Sequence, residues 1–212
     1  MIGRSKGLER ARRASLGVRT HSGWAAYVVL AGAPSEPSIL FRGLMQLCDP
    51  KIEGSKQPFH HAEPLSFETA EKFIERCRAS SRMLAGRAIG EIVTAHGELK
   101  ACCILTASGR SLPPLQAILA SHALIHAAEG EFYREAVRDA ADERGIPTEF
   151  LKEREIPALA DRLPVNEASR RDALNAFGKK VGSPWRQDEK LAAIAAWFGL
   201  AMRQSRIGTR LG

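Results

Sequence analysis

Three strand-length runs separated only by tight turns open the folded part of this chain, and strands joined so closely must pair antiparallel. Ser15-Leu16-Gly17-Val18-Arg19-Thr20 is the first run, Trp24 to Leu30 the second and Ile39 to Leu47 the third. His21-Ser22-Gly23 turns between the first two, and Ala31-Gly32-Ala33-Pro34-Ser35 carries turn chemistry before the third. An antiparallel meander at the start excludes an all-helical fold and a purely parallel sheet.

The pattern then changes period. The stretch 49–64 is polar, holds Gly54, Pro58 and Pro64, and reads as a loop. Ser66 can cap a helix whose first turn carries Glu68, with apolar residues recurring at Phe67, Ala70, Phe73, Ile74 and Cys77 and again from Leu84 to Val93. An unbroken helix over 66–95 would run roughly 45 Å at 1.5 Å per residue, so a break is expected at Ser80-Ser81. Ala101 to Thr106 is a continuous apolar run, the mark of a strand buried on both faces. Pro113 opens a predicted long helix that ends at Gly145, with Pro147 just beyond. A fifth strand is expected over 148–151, then helices over 165–177 and 187–203. The predicted order is β-β-β-α-β-α-β-α-α.

The chain has 212 residues and a formal charge of +7, and the location of that charge matters more than its size. Residues 1–14 carry Arg4, Lys6, Arg10, Arg12 and Arg13 against Glu9, and residues 203–212 carry Arg203, Arg206 and Arg210 with no acid. The span 15–202 is left with 23 basic and 23 acidic residues. The excess therefore sits on two terminal arms, which could grip nucleic acid through salt-sensitive, sequence-blind phosphate contacts. Domain limits follow: a basic arm over 1–14, a globular domain over 15–202 and a basic tail over 203–212.

No run approaches the roughly 18 apolar residues that a membrane span needs. The first residues lack the apolar core of a secretory signal, so a cytoplasmic protein is expected. Cys48, Cys77, Cys102 and Cys103 include no C-x-x-C pair and read as reduced core thiols.

Several short segments resemble the ribonuclease-H-like superfamily, in particular its Holliday-junction resolvase (RuvC-like) branch. Leu16-Gly17-Val18-Arg19 followed by Ser22-Gly23-Trp24-Ala25 resembles that family's opening hairpin, and Ser81-Arg82 to Val93 is similar to its first helix. Gly145-Ile146-Pro147 leads into the last strand in the same manner, and Pro184-Trp185-Arg186-Gln187-Asp188 before the helix 191–200 resembles the segment that supplies its final acids. The resemblance covers about 15–48 and 80–202, with 49–79 as an insertion. It implies an α/β fold: a mixed five-stranded sheet, three antiparallel strands then two parallel, flanked by helices. It also implies phosphodiester cleavage with Mg²⁺ held by carboxylates, because hard cations need anionic oxygen ligands.

Those carboxylates are largely missing. Arg19 stands where the family's first-strand acid belongs, residues 10–35 contain no Asp or Glu, and residues 99–128 contain none either. Glu98, at the start of the fourth strand, is the nearest acid there, and only Asp188 matches a family ligand, the second acid of the last helix falling on Leu191. A guanidinium about 4 Å from a cation repels it by roughly 4 kcal/mol per unit charge product at an effective dielectric of 20, and a divalent ion doubles that. The expectation is a catalytically degenerate relative that binds nucleic acid or a protein partner, with no cofactor. Mg²⁺ would enter only in an alternative reading, an active nuclease with a site rebuilt from Asp188, Glu129 or Glu131, and His21. A second alternative is a phosphate or small-molecule binding module in which Arg19, His21 and Ser22 of the first hairpin form an anion site.

Two further groups carry chemistry. His122, His126 and Glu129 fall at i, i+4 and i+7 on one helix face, and His60-His61 with Glu63 lies in the insertion. Either could ligate a transition metal, but the reading taken for them is a polar helix stripe and a solvated loop, so no metal site is assigned. Trp185, Trp197 and Phe198 are expected in the core. No phosphate-binding glycine loop, dinucleotide fingerprint or nucleophile elbow is present in the sequence.

Overall fold

The structure is a computed structural model that describes residues 14–107 and 111–202. The terminal arms, with Arg12 and Arg13, lie outside the described residues apart from Ala14, which opens the first strand. Strands β1 (Ala14–His21), β2 (Trp24–Ala33) and β3 (Glu36–Gln46) form the expected meander, each antiparallel to the next. β4 (Leu99–Thr106) pairs parallel with β1, and β5 (Thr148–Lys152) parallel with β4. The sheet order is β3-β2-β1-β4-β5, the mixed five-stranded arrangement anticipated.

Helices cover both faces. α1 (Pro58–Ala62), α2 (Phe67–His96), α3 (Leu115–Leu119) and α4 (His122–Asp142) lie with the core built on Leu16, Val18, Cys102 and Ile104. On the other face α5 (Ile156–Ala160), α6 (Glu167–Val181) and α7 (Gln187–Ala201) pack with Val28, Leu30, Cys103 and Leu105. Adjacent Cys102 and Cys103 thus enter opposite cores, as the two-residue period of a strand requires. All four cysteines are free thiols, and Trp197 is buried with its indole N–H donating to the Pro34 carbonyl at 2.7 Å. Among the described residues no helix is long and apolar enough to cross a membrane.

α7 lies unusually close to the sheet because small residues meet there. A β-carbon on Gly17 would collide with the backbone carbonyl of Ala192, and one on Gly199 with the hydroxyl of Ser15. Ala192, Ala193, Ala195 and Ala196 complete that flat face.

Three expectations change. The helix over 66–95 does not break at Ser80-Ser81: α2 runs 30 residues from a Ser66 cap. Arg78 pairs with Glu135 at 3.1 Å and Arg82 with Glu143 at 3.0 Å, so ion pairs on both sides of the serines tie α2 to α4. The helix expected from Pro113 to Gly145 is instead two, since Ser121 is extended at φ −143° and its carbonyl accepts from Leu124 and Ile125 to start α4 afresh. The stretch 49–64, read as a loop, contains α1, and a 3₁₀ turn (Glu153–Glu155) with α5 fills the interval between the fifth strand and the helix expected over 165–177.

Candidate functional site

Sheet register and helix direction together bring three distant charges to one place. Gly17 faces α7, so Arg19, two residues on, projects to the same side. α7 runs against β1, and Asp188 stands one helical turn before Ala192, the residue that Gly17 touches. Leu151 of β5 also lies on the α7 side, which sets Glu153 there as well. The site forms beyond the carboxyl ends of the three parallel strands, where open α/β sheets commonly bind ligands.

Arg19 links the group. Its Nε and Nη2 donate to the two oxygens of Glu153, each at 3.0 Å, in a bidentate pair that reaches past the end of β4. Its Nη1 donates to Asp188 Oδ1. The side chains are 20%, 34% and 27% exposed for Arg19, Glu153 and Asp188, so the cluster is half-sheltered. Hydrogen bonding to Glu153 raises the guanidinium pKa above its ordinary value; burial works the other way and Asp188 adds to the rise. Arg19 is a permanent cation here. One guanidinium and two carboxylates leave the Arg19, Glu153 and Asp188 trio with a net charge of −1.

His21 completes the arrangement from the end of β1. Its ring stacks on Trp24 with centroids 4.3 Å apart, and its Nε2 lies 3.3 Å from Asp188 Oδ1. The approach is off line for a hydrogen bond, which leaves that nitrogen sheltered without an aligned partner. Ser22 lies in the adjoining turn, half-buried, ahead of Gly23, whose φ of +83° suits glycine. At the end of β4 stands Thr106, a buried hydroxyl with no hydrogen-bond partner among the described residues. Thr106 and Lys152, with Ser111, Glu131 and Glu135, line a cleft of about 600 Å³ on the α4 side of the sheet, across from the Arg19 cluster.

Arg19, His21 and Asp188 therefore meet, with Ser22 in the adjoining turn. Glu129 does not join them, because α4 lies on the opposite face of the sheet. The site rebuilt from Asp188, Glu129 or Glu131, and His21 is corrected on that ground: the sheet separates α4, which bears both glutamates, from the other two. Glu129 is buried and its Oε1 accepts from the backbone N–H groups of Phe59 at 2.8 Å and His60 at 3.1 Å, anchoring α1. Burial raises its pKa, against the lowering effect of those hydrogen bonds. Glu98 precedes β4 at the far end of that strand, roughly 25 Å away at 3.3 Å per residue. Glu153 went unrecognised in the sequence; the one signal it offered was its position immediately after a parallel strand.

No protein-family model matches the chain, and no curated protein matches its sequence. Solved structures do match. RuvC of T. thermophilus in complex with a Holliday junction substrate superimposes with a TM-score of 0.51 at 12% identity, over 88% of this chain and 91% of that one. A second Thermus thermophilus RuvC structure gives a TM-score of 0.50, also at 12% identity, over 87% and 92% of the two chains. With the sheet order and the crossovers already described, these matches establish that the chain has the ribonuclease-H-like fold in the arrangement seen in RuvC.

Proposed function

We propose that this chain is a nucleic-acid-binding domain of ribonuclease-H-like fold whose nuclease site is closed by an internal cation. The observation that supports this reading is the engagement of both available carboxylates, Glu153 and Asp188, by the single guanidinium of Arg19. A pair of Mg²⁺ ions requires several free anionic oxygens. Here Arg19 takes up the carboxylates and β4 ends in a hydroxyl, Thr106. The donor set does not fit two divalent ions, and no cleavage step is derived for it.

Binding rests on different grounds. A structural neighbour holds a Holliday junction, and the basic arms of this chain would contribute phosphate contacts. The cluster itself carries a net negative charge, so the grip on nucleic acid is assigned to the arms. The test uses the full chain with four-way junction and duplex DNA. Affinity should fall steeply with salt, and glutamine substitution of Arg4, Lys6, Arg10, Arg12, Arg13, Arg203, Arg206 and Arg210 should remove most of it. No cleavage is expected with Mg²⁺ or Mn²⁺. Metal-dependent cleavage abolished by Asp188→Asn would overturn the closed site and favour the nuclease reading. Absence of DNA and RNA binding at low salt would overturn the binding role and favour a protein partner.

A further inference from the structure

On the other face of the sheet, the sequence's two histidine groups share members in a way their spacing did not reveal. His122 and His126 are one turn apart on α4, and their Nε2 atoms are 3.0 Å apart. His60, from α1 of the insertion, sets its ring against both, with centroids 5.4 Å from His122 and 4.8 Å from His126. One potential ligand nitrogen from each of the three lies within 4.8 Å of the others. His61 is elsewhere, its ring against Phe73 at 4.5 Å. Glu129, the third member of the helix stripe, does not sit among the ligands. It stands behind His60, its Oε1 3.3 Å from His60 Nδ1.

We propose that His60, His122 and His126 form a binding site for a zinc-class transition-metal ion, which clasps the insertion to α4. Tetrahedral coordination with metal–nitrogen bonds of about 2.0–2.1 Å places ligand nitrogens about 3.3 Å apart. His122 and His126 are already near that spacing. His60 closes the remainder with a movement of about 1.5 Å. Carboxylates commonly hold a ligating histidine by its second nitrogen, and Glu129 stands where it would hold His60 by Nδ1, leaving Nε2 for the metal. The same Glu129 oxygen accepts from the His60 and Phe59 amides, so the carboxylate positions both the ring and the short helix that bears it. Glu129 is 5% exposed and its Oε2 has no partner among the described residues, so its bonds go to α1, at the Phe59 and His60 amides and the His60 ring.

The chemistry selects the ion. Three neutral imidazoles with no thiolate and no carboxylate among the ligands suit Zn²⁺, Ni²⁺ or Cu²⁺, and disfavour Mg²⁺ and Ca²⁺. His122 and His126 are exposed and His60 half-buried, so the ion has an open path and a fourth position for water. The site is independent of the Arg19 cluster and stands or falls apart from it.

The test uses the full chain, stripped with a chelator and titrated with Zn²⁺ alone by calorimetry. One ion should bind per chain with micromolar or tighter affinity, and Mg²⁺ should not compete. His122→Ala and His126→Ala alter exposed side chains and should each weaken binding at least tenfold, whereas His61→Ala and His96→Ala should leave it unchanged. Glu129→Gln should weaken it by roughly 10–100-fold, as loss of a supporting carboxylate does elsewhere. Zn²⁺ should raise the melting temperature of the native chain and not that of His126→Ala. Full affinity in His60→Ala would overturn the clasp by showing that the helix pair suffices. So would weak binding that Mg²⁺ matches, or binding insensitive to His122→Ala.

Discussion

Arg19 bridges two carboxylates in a half-sheltered pocket, so its removal exposes a like-charge conflict. Arg19→Met should destabilise the chain by about 1–3 kcal/mol in urea denaturation, a figure held below that for fully buried pairs because Glu153 and Asp188 remain partly hydrated. Adding Glu153→Gln and Asp188→Asn should recover most of the loss, because the conflict disappears with the charges. A triple variant as unstable as the single one would show that Arg19 acts through packing alone. The thiols make a second prediction. Burial pushes Cys77 up to about 11 and Cys103 up to about 12, and raises Cys102 well above its usual value. At pH 8 a thiol reagent should modify half-buried Cys48 quickly and the other three only on unfolding. The native state keeps these protons to higher pH than the unfolded chain. Stability should therefore fall as pH rises above about 9, by about 1.4 kcal/mol per pH unit for each thiol.

Contact between α7 and β1 makes the site possible, and it depends on glycine where the backbones approach. Gly17→Ala should cost about 1–3 kcal/mol, because the added methyl meets main chain that cannot step aside. A fall of roughly 2–4 °C in melting temperature per kcal/mol is expected for a chain of this size. Gly86, inside α2, is the contrast: the nearest atom to an added methyl is the tip of Arg144 at 3.8 Å. Gly86→Ala should stabilise by about 0.5–1 kcal/mol through helix propensity alone. The elements themselves were legible because their signals are local: period two for the meander, an apolar run for β4, and Gly145 with a φ of +66° after α4. Their breaks were less so. Ser80-Ser81 looked like a boundary until ion pairs from α4 held both sides, and the interruption at Ser121 had no proline or glycine to announce it.

Along the whole sequence the excess positive charge falls within 1–14 and 203–212 while 15–202 balance, and DNA binding should report that division. If the eight arm cations supply the phosphate contacts, a plot of log affinity against log salt should have a slope of about −0.9 per contact. Neutralising the arms should then flatten the slope toward zero, which titrations at several salt concentrations would measure.

The sequence by itself determined the order of elements along the chain, the antiparallel start, the burial of β4 on both faces and the lack of acids along β1 and β4, because these follow from side-chain period and residue type. Only the tertiary structure decided which charges meet. Arg19, Glu153 and Asp188 come from three elements spread over most of the chain, and His60 reaches α4 from α1. Such pairings depend on sheet register, on which face a helix covers and on how closely it lies. Those are properties of the packed whole, which no local window of residues contains.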